Sequence, residues 1–307
     1  MAHLPMLGAI RAVSYCVPDL RTIEDAYVDT LGYRVAARGQ VGAHLAGSWG
    51  AANIAGLPVL LLASASGEAV WLRFIEDPRA GEFTALTTHG WNATEFVVQD
   101  VDALALRLER SAFRVIGAPR GLSRFPMIRA MQALGPAGEC CYFTEIGPGS
   151  GLDLAAARAF VGRVFIVVAA GPDADALFVP YREFANSVDP PVATPVAVIS
   201  RAHGLPPATL HRHGLVRLPH GTLIELDQYP PTARPRPCMP GRLPPGMAMV
   251  TFDVGSLPDR DGGTPLAAGD LPGVVGAAAC LRGATGELIE LLASAPAAGQ
   301  ASGPHSG

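Results

Sequence analysis

Charge is scarce in this 307-residue chain. Only 16 % of its residues are Asp, Glu, Lys or Arg, against 49 % apolar, and the formal net charge is −4. Acids and bases are interspersed, so there is no electrostatic footprint for nucleic acid, and the balance describes a compact globular protein. Cysteine is sparse as well. Cys16, Cys140, Cys141, Cys238 and Cys280 are odd in number and lack zinc-ligand spacing, so they read as reduced thiols filling small apolar gaps. Cys140 and Cys141 point to opposite faces of one strand, where a bond between neighbours is strained. Long hydrophobic runs are missing too. The longest, Leu57 to Ala65 and Val164 to Ala170, are too short to cross a bilayer and read as buried strands. No basic segment precedes an apolar one at the start, so no secretory signal is expected and the expected location is cytoplasmic. A Gly-rich phosphate loop, a Gly-x-Ser-x-Gly elbow and a His-Glu-x-x-His helix are all absent, which removes three common kinds of enzyme.

What is present is a repeat. Gly138-Glu139-Cys140-Cys141-Tyr142-Phe143 lines up with Gly221-Thr222-Leu223-Ile224-Glu225-Leu226 and with Gly286-Glu287-Leu288-Ile289-Glu290-Leu291. A looser copy starts at Gly67-Glu68 and runs to Arg73. Each is a glycine turn followed by an alternating strand, so several copies of one supersecondary unit are expected.

Four modules follow along the chain. In the first, a strand over Ala9 to Val17 leads to Asp19, which caps a helix from Leu20 to Leu31. Strands over Tyr33 to Ala37, Leu57 to Leu62 and Val70 to Ile75 complete it, with a long Gly/Ala-rich connection at Gly39 to Gly56. The second has a strand at Asn92 to Val98, a helix capped by Asp100 over Val101 to Arg110, and strands at Phe113 to Ile116, Met127 to Leu134 and Cys140 to Glu145. The third runs through a strand at Arg163 to Ala169, a helix at Pro172 to Ala185, and strands at Ala193 to Ile199, Leu210 to Leu218 and Thr222 to Gln228. Pro230 to Pro245, with seven prolines in sixteen residues, is an extended connector. The fourth starts at Met247 to Val254, has a weak or missing helix, and closes with Val274 to Leu281 and Leu288 to Leu292. The expected domains are 1–148 and 160–293, separated by a linker at 149–159 and followed by a disordered tail at 294–307.

Four strand–helix–three-strand units resemble the vicinal oxygen chelate superfamily of glyoxalases, bleomycin-resistance proteins and extradiol dioxygenases. The resemblance rests on Tyr15-Cys16-Val17-Pro18-Asp19-Leu20 with Tyr27 and Leu31-Gly32-Tyr33, on Phe96-Val97-Val98-Gln99-Asp100-Val101 with Phe113, and on the repeated endings. It implies an α+β fold of four βαβββ modules, paired in sequence order into two incomplete eight-stranded barrels, each around a cleft.

Relatives that bind a divalent metal take one ligand from a module's first strand and a Glu from its last. Here the first-strand positions fall on Ala12, Ala93, Arg163 and Met249. The last-strand positions fall on Trp71 or Arg73, Tyr142, Glu225 and Glu290. No metal is therefore expected in the N-terminal half. A divalent metal in the C-terminal half would draw on Glu225 and Glu290, with His213 beside His211 on one strand face. His213 shares the face of Glu225 if Pro219-His220-Gly221 is a three-residue loop, and turns outward if the loop has two residues. In the N-terminal half, strand parity places Ser14 with Ala12, and Trp91 and Glu95 with Ala93. Glu95, Arg73 and Tyr142 form the expected catalytic set, with Glu95 moving a proton and Arg73 holding an enolate or carboxylate; the alternative is a structural Glu95–Arg73 ion pair. Trp71, Trp91, Arg129 and Ser14 are the expected ligand contacts. The implied function is proton transfer with enolate stabilisation on a small oxygen-rich molecule, by an isomerase, epimerase or lyase acting as monomer or homodimer. The alternatives are a ligand-sequestering protein of the bleomycin-resistance type, and a metal-dependent dioxygenase or lyase built on the C-terminal half.

Overall fold

The computed structural model describes residues 6–122, 125–148, 153–154, 156–185, 187–258, 263–267 and 269–294. Module one comprises β1 (Leu7–Val17), α1 (Leu20–Asp25, continued as a π-helical turn over Ala26–Thr30), β2 (Arg34–Gln40), α2 (Ala43–Ser48), β3 (Pro58–Ala63) and β4 (Trp71–Glu76). Module two comprises β5 (Gly90–Val98), α3 (Val101–Leu108), β6 (Arg114–Leu122), β7 (Phe125–Leu134) and β8 (Cys140–Ile146). Module three has β9 (Val161–Gly171), α4 (Ala174–Phe184), β10 (Ser187–Val188), β11 (Val192–Pro195), α5 (Ala197–Ala202), β12 (Leu210–Leu218) and β13 (Thr222–Gln228). Module four has β14 (Gly246–Val254), β15 (Thr264–Pro265), β16 (Gly276–Arg282) and β17 (Leu288–Ser294), with no helix among its described residues. Two helices start at the expected caps, Asp19 and Asp100, and a third at Asp173; each accepts from backbone N–H groups of the first turn, filling donors that a helix start leaves open. The expected strand over Ala193 to Ile199 is instead a short strand followed by α5. The expected tail beyond Ser294, and most of the 149–159 linker, lie outside the described residues.

The modules pair differently from the sequence-order expectation. One sheet has the order β15-β16-β17-β14-β1-β4-β3-β2 and joins modules one and four. The other has the order β10-β12-β13-β9-β5-β8-β7-β6, with β11 on β12, and joins modules two and three. The seams are antiparallel, Val13 facing Val250 and Thr94 facing Val167. A repeat defines the unit, but it leaves open which unit's first strand completes another's sheet. The connectors resolve this. Residues 77–89 carry the chain from one sheet to the other and pair with the return connector, through His89 N–H to Arg234 O (2.9 Å), Arg234 N–H to Thr87 O (3.1 Å) and a buried Asp77–Arg242 ion pair.

Between the sheets lies one large core, in which Tyr15, Phe74, Phe96, Phe143 and Phe252 pack with the apolar sides of α1, α3 and α4. The opposite, concave faces are plugged. Leu45, Ala46 and Trp49, in and after α2, fill that of the module one–four sheet. Val198 and Ile199 of α5, with Leu86 and Tyr229, fill that of the module two–three sheet.

All four repeated glycines have positive φ: Gly67 (76°), Gly138 (81°), Gly221 (66°) and Gly286 (89°). This is the left-handed region that glycine enters without a Cβ penalty. Three of the residues that follow them reach into another module. Glu68 pairs with Arg163 at 2.9 Å, Glu139 accepts from the Tyr27 hydroxyl at 3.0 Å, and Glu287 accepts from the Tyr181 hydroxyl at 3.1 Å.

Candidate functional site

Strand register defines one equivalent pair per module. Seven residues before each helix cap stand Ala12, Ala93 and, before Asp173, Ile166 rather than Arg163. Arg163 lies at the start of β9, holding Glu68 and the His220 carbonyl. Two residues further on, the first strand faces the last as Ser14–Arg73, Glu95–Tyr142, Val168–Glu225 and Thr251–Glu290. Arg73, rather than Trp71, thus takes the register position that Glu225 and Glu290 hold in modules three and four.

Because modules one and four share a sheet, Arg73 meets Glu290. Both side chains are at most 2 % exposed. Arg73 Nη1 and Nη2 each donate to Glu290 Oε2 at 3.2 Å, and Nη1 also donates to Ser14 Oγ at 3.3 Å. Thr251 Oγ1 donates to Glu290 Oε2 at 2.6 Å, and Trp49 Nε1 donates to Oε1 at 2.7 Å while its ring stacks 5.1 Å from the Arg73 guanidinium carbon. The long Gly/Ala-rich connection from Gly39 to Gly56 is therefore the plug of this barrel. A divalent metal does not fit here. A guanidinium occupies one ligand position and consumes the single carboxylate, while Ala12 and Met249 hold the others. Glu290 is accordingly no partner of His213, and Arg73 and Ser14 are no partners of Glu95. Trp71 is buried in the same sheet among Ala12, Leu61 and Leu292.

The module two–three sheet is the opposite case. Here Glu95, Tyr142, Glu225, Asp227 and His213 gather on the concave side. The β12–β13 loop does have three residues, so His213 faces Asp227 and Leu215 faces Glu225. His213 Nδ1 stands 3.8 Å from Glu225 Oε1, and Nε2 shares a 2.8 Å hydrogen bond with Thr194 Oγ1. One ligand-type atom each from His213, Glu225 and Asp227 lies within 4.8 Å of the other two. His211 lies deeper, bonded to Ser200 Oγ at 2.9 Å, and desolvation with the neighbouring His203 and His213 lowers its pKa. Among the described residues no arginine pairs with Glu95, Glu225 or Asp227, and the chain contains no lysine.

Two of these carboxyls, Glu95 and Asp227, hold their protons more tightly than usual. Burial, and then the Glu225 charge, push Glu95 up to about 8, against a smaller opposing effect from the hydrogen bond donated by Thr144. Burial and the Glu225 charge also hold the Asp227 carboxyl well above the ordinary carboxylate range. Burial raises Tyr142, which stays a neutral phenol and hydrogen-bond donor. Beside Tyr142 on β7 lies Gln132, which lines a cavity of about 260 Å³ between α5 and the β6–β7 hairpin, with Gly117, Val198 and Arg201.

Two expected contacts are elsewhere. Irregular pairing with β9 between Trp91 and Ala93 breaks the strand parity, so Trp91 packs between the sheets and donates from Nε1 to Leu288 O at 2.7 Å. Arg129 is half-exposed and paired with Asp102 at 2.7 Å. Asp227 was the residue that sequence reasoning left out of the site. Its signal was present, two positions beyond Glu225 on the same strand face.

No protein-family profile and no curated protein matches this sequence. Solved structures do. Glyoxalase I from Zea mays is 13 % identical with a TM-score of 0.58, covering 93 % of this chain and 92 % of that one. A putative dioxygenase from Bacillus subtilis is 14 % identical with a TM-score of 0.61, covering 95 % and 87 %. At this identity the likeness is one of fold, and it spans both sheets. The chain has a glyoxalase-like fold, with its four modules paired into two sheets.

Proposed function

We propose that this chain acts on a small oxygen-bearing molecule by proton transfer at the concave face of the module two–three sheet, with Glu95 as the acid–base group. The supporting observation is placement: Glu95 lies on a buried face, bonded to Thr144, with no basic side chain to fix it as a carboxylate. A carboxyl that gains and loses its proton near neutrality can do so on a substrate carbon or oxygen. Tyr142, directly across the strand pair from Glu95, is placed to donate to an oxygen on which negative charge develops. Arg73 has no part in this chemistry. Isomerisation, epimerisation and elimination share the enolising step, so the reading stops at that step.

The test follows the step itself. A panel of 2-hydroxy and 2-oxo acids and aldehydes in D2O is followed by NMR for loss of the hydrogen next to the carbonyl. Wild-type protein should catalyse exchange in at least one compound. Glu95→Gln should keep its fold and its affinity for that compound and lose exchange at least a hundredfold. Ligands that bind without exchange would instead support the sequestering alternative.

A further inference from the structure

The position facing Val168 keeps the family's last-strand carboxylate as Glu225, yet the first-strand positions around it are Ala93 and Ile166, which cannot ligate. A site that used only the superfamily's positions would stop there. The geometry points to a different assembly: we propose that His213, Glu225 and Asp227 form a divalent-cation site on the concave face of the module two–three sheet, with two of its three ligands drawn from outside the superfamily's ligand positions.

Four observations carry it. The three side chains come from adjacent strands, and their ligand atoms already converge to within 4.8 Å. Asp227 is 2 % exposed, yet its Oδ1 has no hydrogen-bond partner, and neither does the buried Nδ1 of His213. Buried polar atoms are rarely left in that state. The imidazole is also oriented: with Nε2–H donating to Thr194 Oγ1, the Nδ1 lone pair faces the carboxylates, the arrangement in which metal-bound histidines are usually held. Charge completes the case. Glu95, Glu225 and Asp227 share one low-dielectric face, and a divalent cation supplies the positive charge that no arginine brings to it. One nitrogen and two carboxylate oxygens, without thiolate, select Mn, Fe, Co, Ni or Zn over soft ions. Glu225 and His213, each about one-fifth exposed, leave a solvent-facing side for water or ligand oxygen.

Cation binding is measured without any substrate, so it is tested apart from the proton-transfer reading. Protein freed of metal with EDTA is titrated with Mn2+ and with Zn2+ by calorimetry, and metal content after dialysis is measured by mass spectrometry. One equivalent should bind. Asp227→Asn, close in shape, and His213→Gln should each weaken binding at least tenfold, while Asp175→Asn, in a surface ion pair on the neighbouring helix, should leave it unchanged. With Co2+, visible bands of nitrogen and oxygen ligation should appear in the wild type and vanish in Asp227→Asn. Circular dichroism confirms that each variant is folded, and a variant that unfolds is replaced by Glu225→Gln. Absence of binding at millimolar metal, or equal affinity in wild type and folded variants, overturns the site. A protein that binds the cation and exchanges no substrate hydrogen keeps this site and loses the proposed reaction. Hydrogen exchange by a protein that binds no cation does the reverse.

Discussion

Arg73 and Glu290 show how much one residue's meaning depends on its partner. Buried ion pairs cost heavily when one member is removed, and far less when both are replaced by apolar groups. Glu290→Leu alone should destabilise the protein by about 3–5 kcal/mol, read as a lower denaturant midpoint. Arg73→Met combined with Glu290→Leu should be more stable than Glu290→Leu alone; equal or lower stability would mean that Arg73 stabilises the fold through Ser14 and Trp49 even without its carboxylate. Glu95 behaves in the other sense. Its folded pKa, about 8, lies above its ordinary value of 4.5, so its proton stabilises the fold fully below about pH 4.5 and ceases to do so as pH rises through about 8. Glu139, raised by burial to about 7, adds to the same trend. Metal-free protein should therefore lose stability between pH 5 and 8.5, with a shallower slope in Glu95→Gln, and a stability that rises over this range would contradict the burial of both groups. The chemical character of these residues was legible in the sequence, including strand parity that put Glu95 on the face of Ala93. Their partners were not, because parity names a face and leaves open which sheet will lie beside it.

At the level of elements, the caps and the repeated glycines were the most legible features. Asp19 and Asp100 each announced a helix, and the Gly-, Pro- and Asp-rich stretch after Val254 announced a weak or missing one, with none among its described residues. The repeat's glycines are required by conformation. Nothing lies within 4 Å of a Cβ built on Gly67 or Gly138, so Gly138→Ala should cost about 1–2 kcal/mol through the backbone alone. A neutral result in a thermal melt would show that the turn relaxes to another type. Two plugs, α2 and α5, were hidden from view. Both are six residues long, too short to display a full amphipathic period. Each is held by tertiary contacts, Trp49 on Glu290 and Val198 on the concave face, and such contacts override local propensity. Trp91 was misplaced for a related reason, since an irregularity in pairing leaves no mark in the sequence.

For the whole molecule, recurrence of the unit announced the architecture, while the choice of partners came from the long connectors. Each half of the chain contributes one module to each sheet, so neither half contains a complete one. A fragment of residues 1–148 should thus expose the seam edges of β1 and β5 and aggregate or stay unfolded. Supplied together with residues 149–307, it should yield a soluble, equimolar complex on size exclusion. A well-folded, monomeric N-terminal fragment would contradict the shared-sheet arrangement. No helix among the described residues is long and apolar enough to cross a membrane.

The nesting of the sheets also sets a timetable. Thr94 meets Val167 across the inner seam, while Val13 meets Val250 across the outer one. Long-range pairing is slow, because the loop must close before its contacts are made. During synthesis from the N-terminus, the inner sheet gains all its strands once β13 has emerged. Module one, made first, waits for β14 and is completed last. Its β1 edge stays open through that interval, the state most exposed to mispairing with other chains. Pulse-labelled hydrogen exchange during refolding should show β5 and β9 protected before β1 and β14. The first of the described strands, paired with β4 from early on, thus keeps its other edge open until β14 arrives.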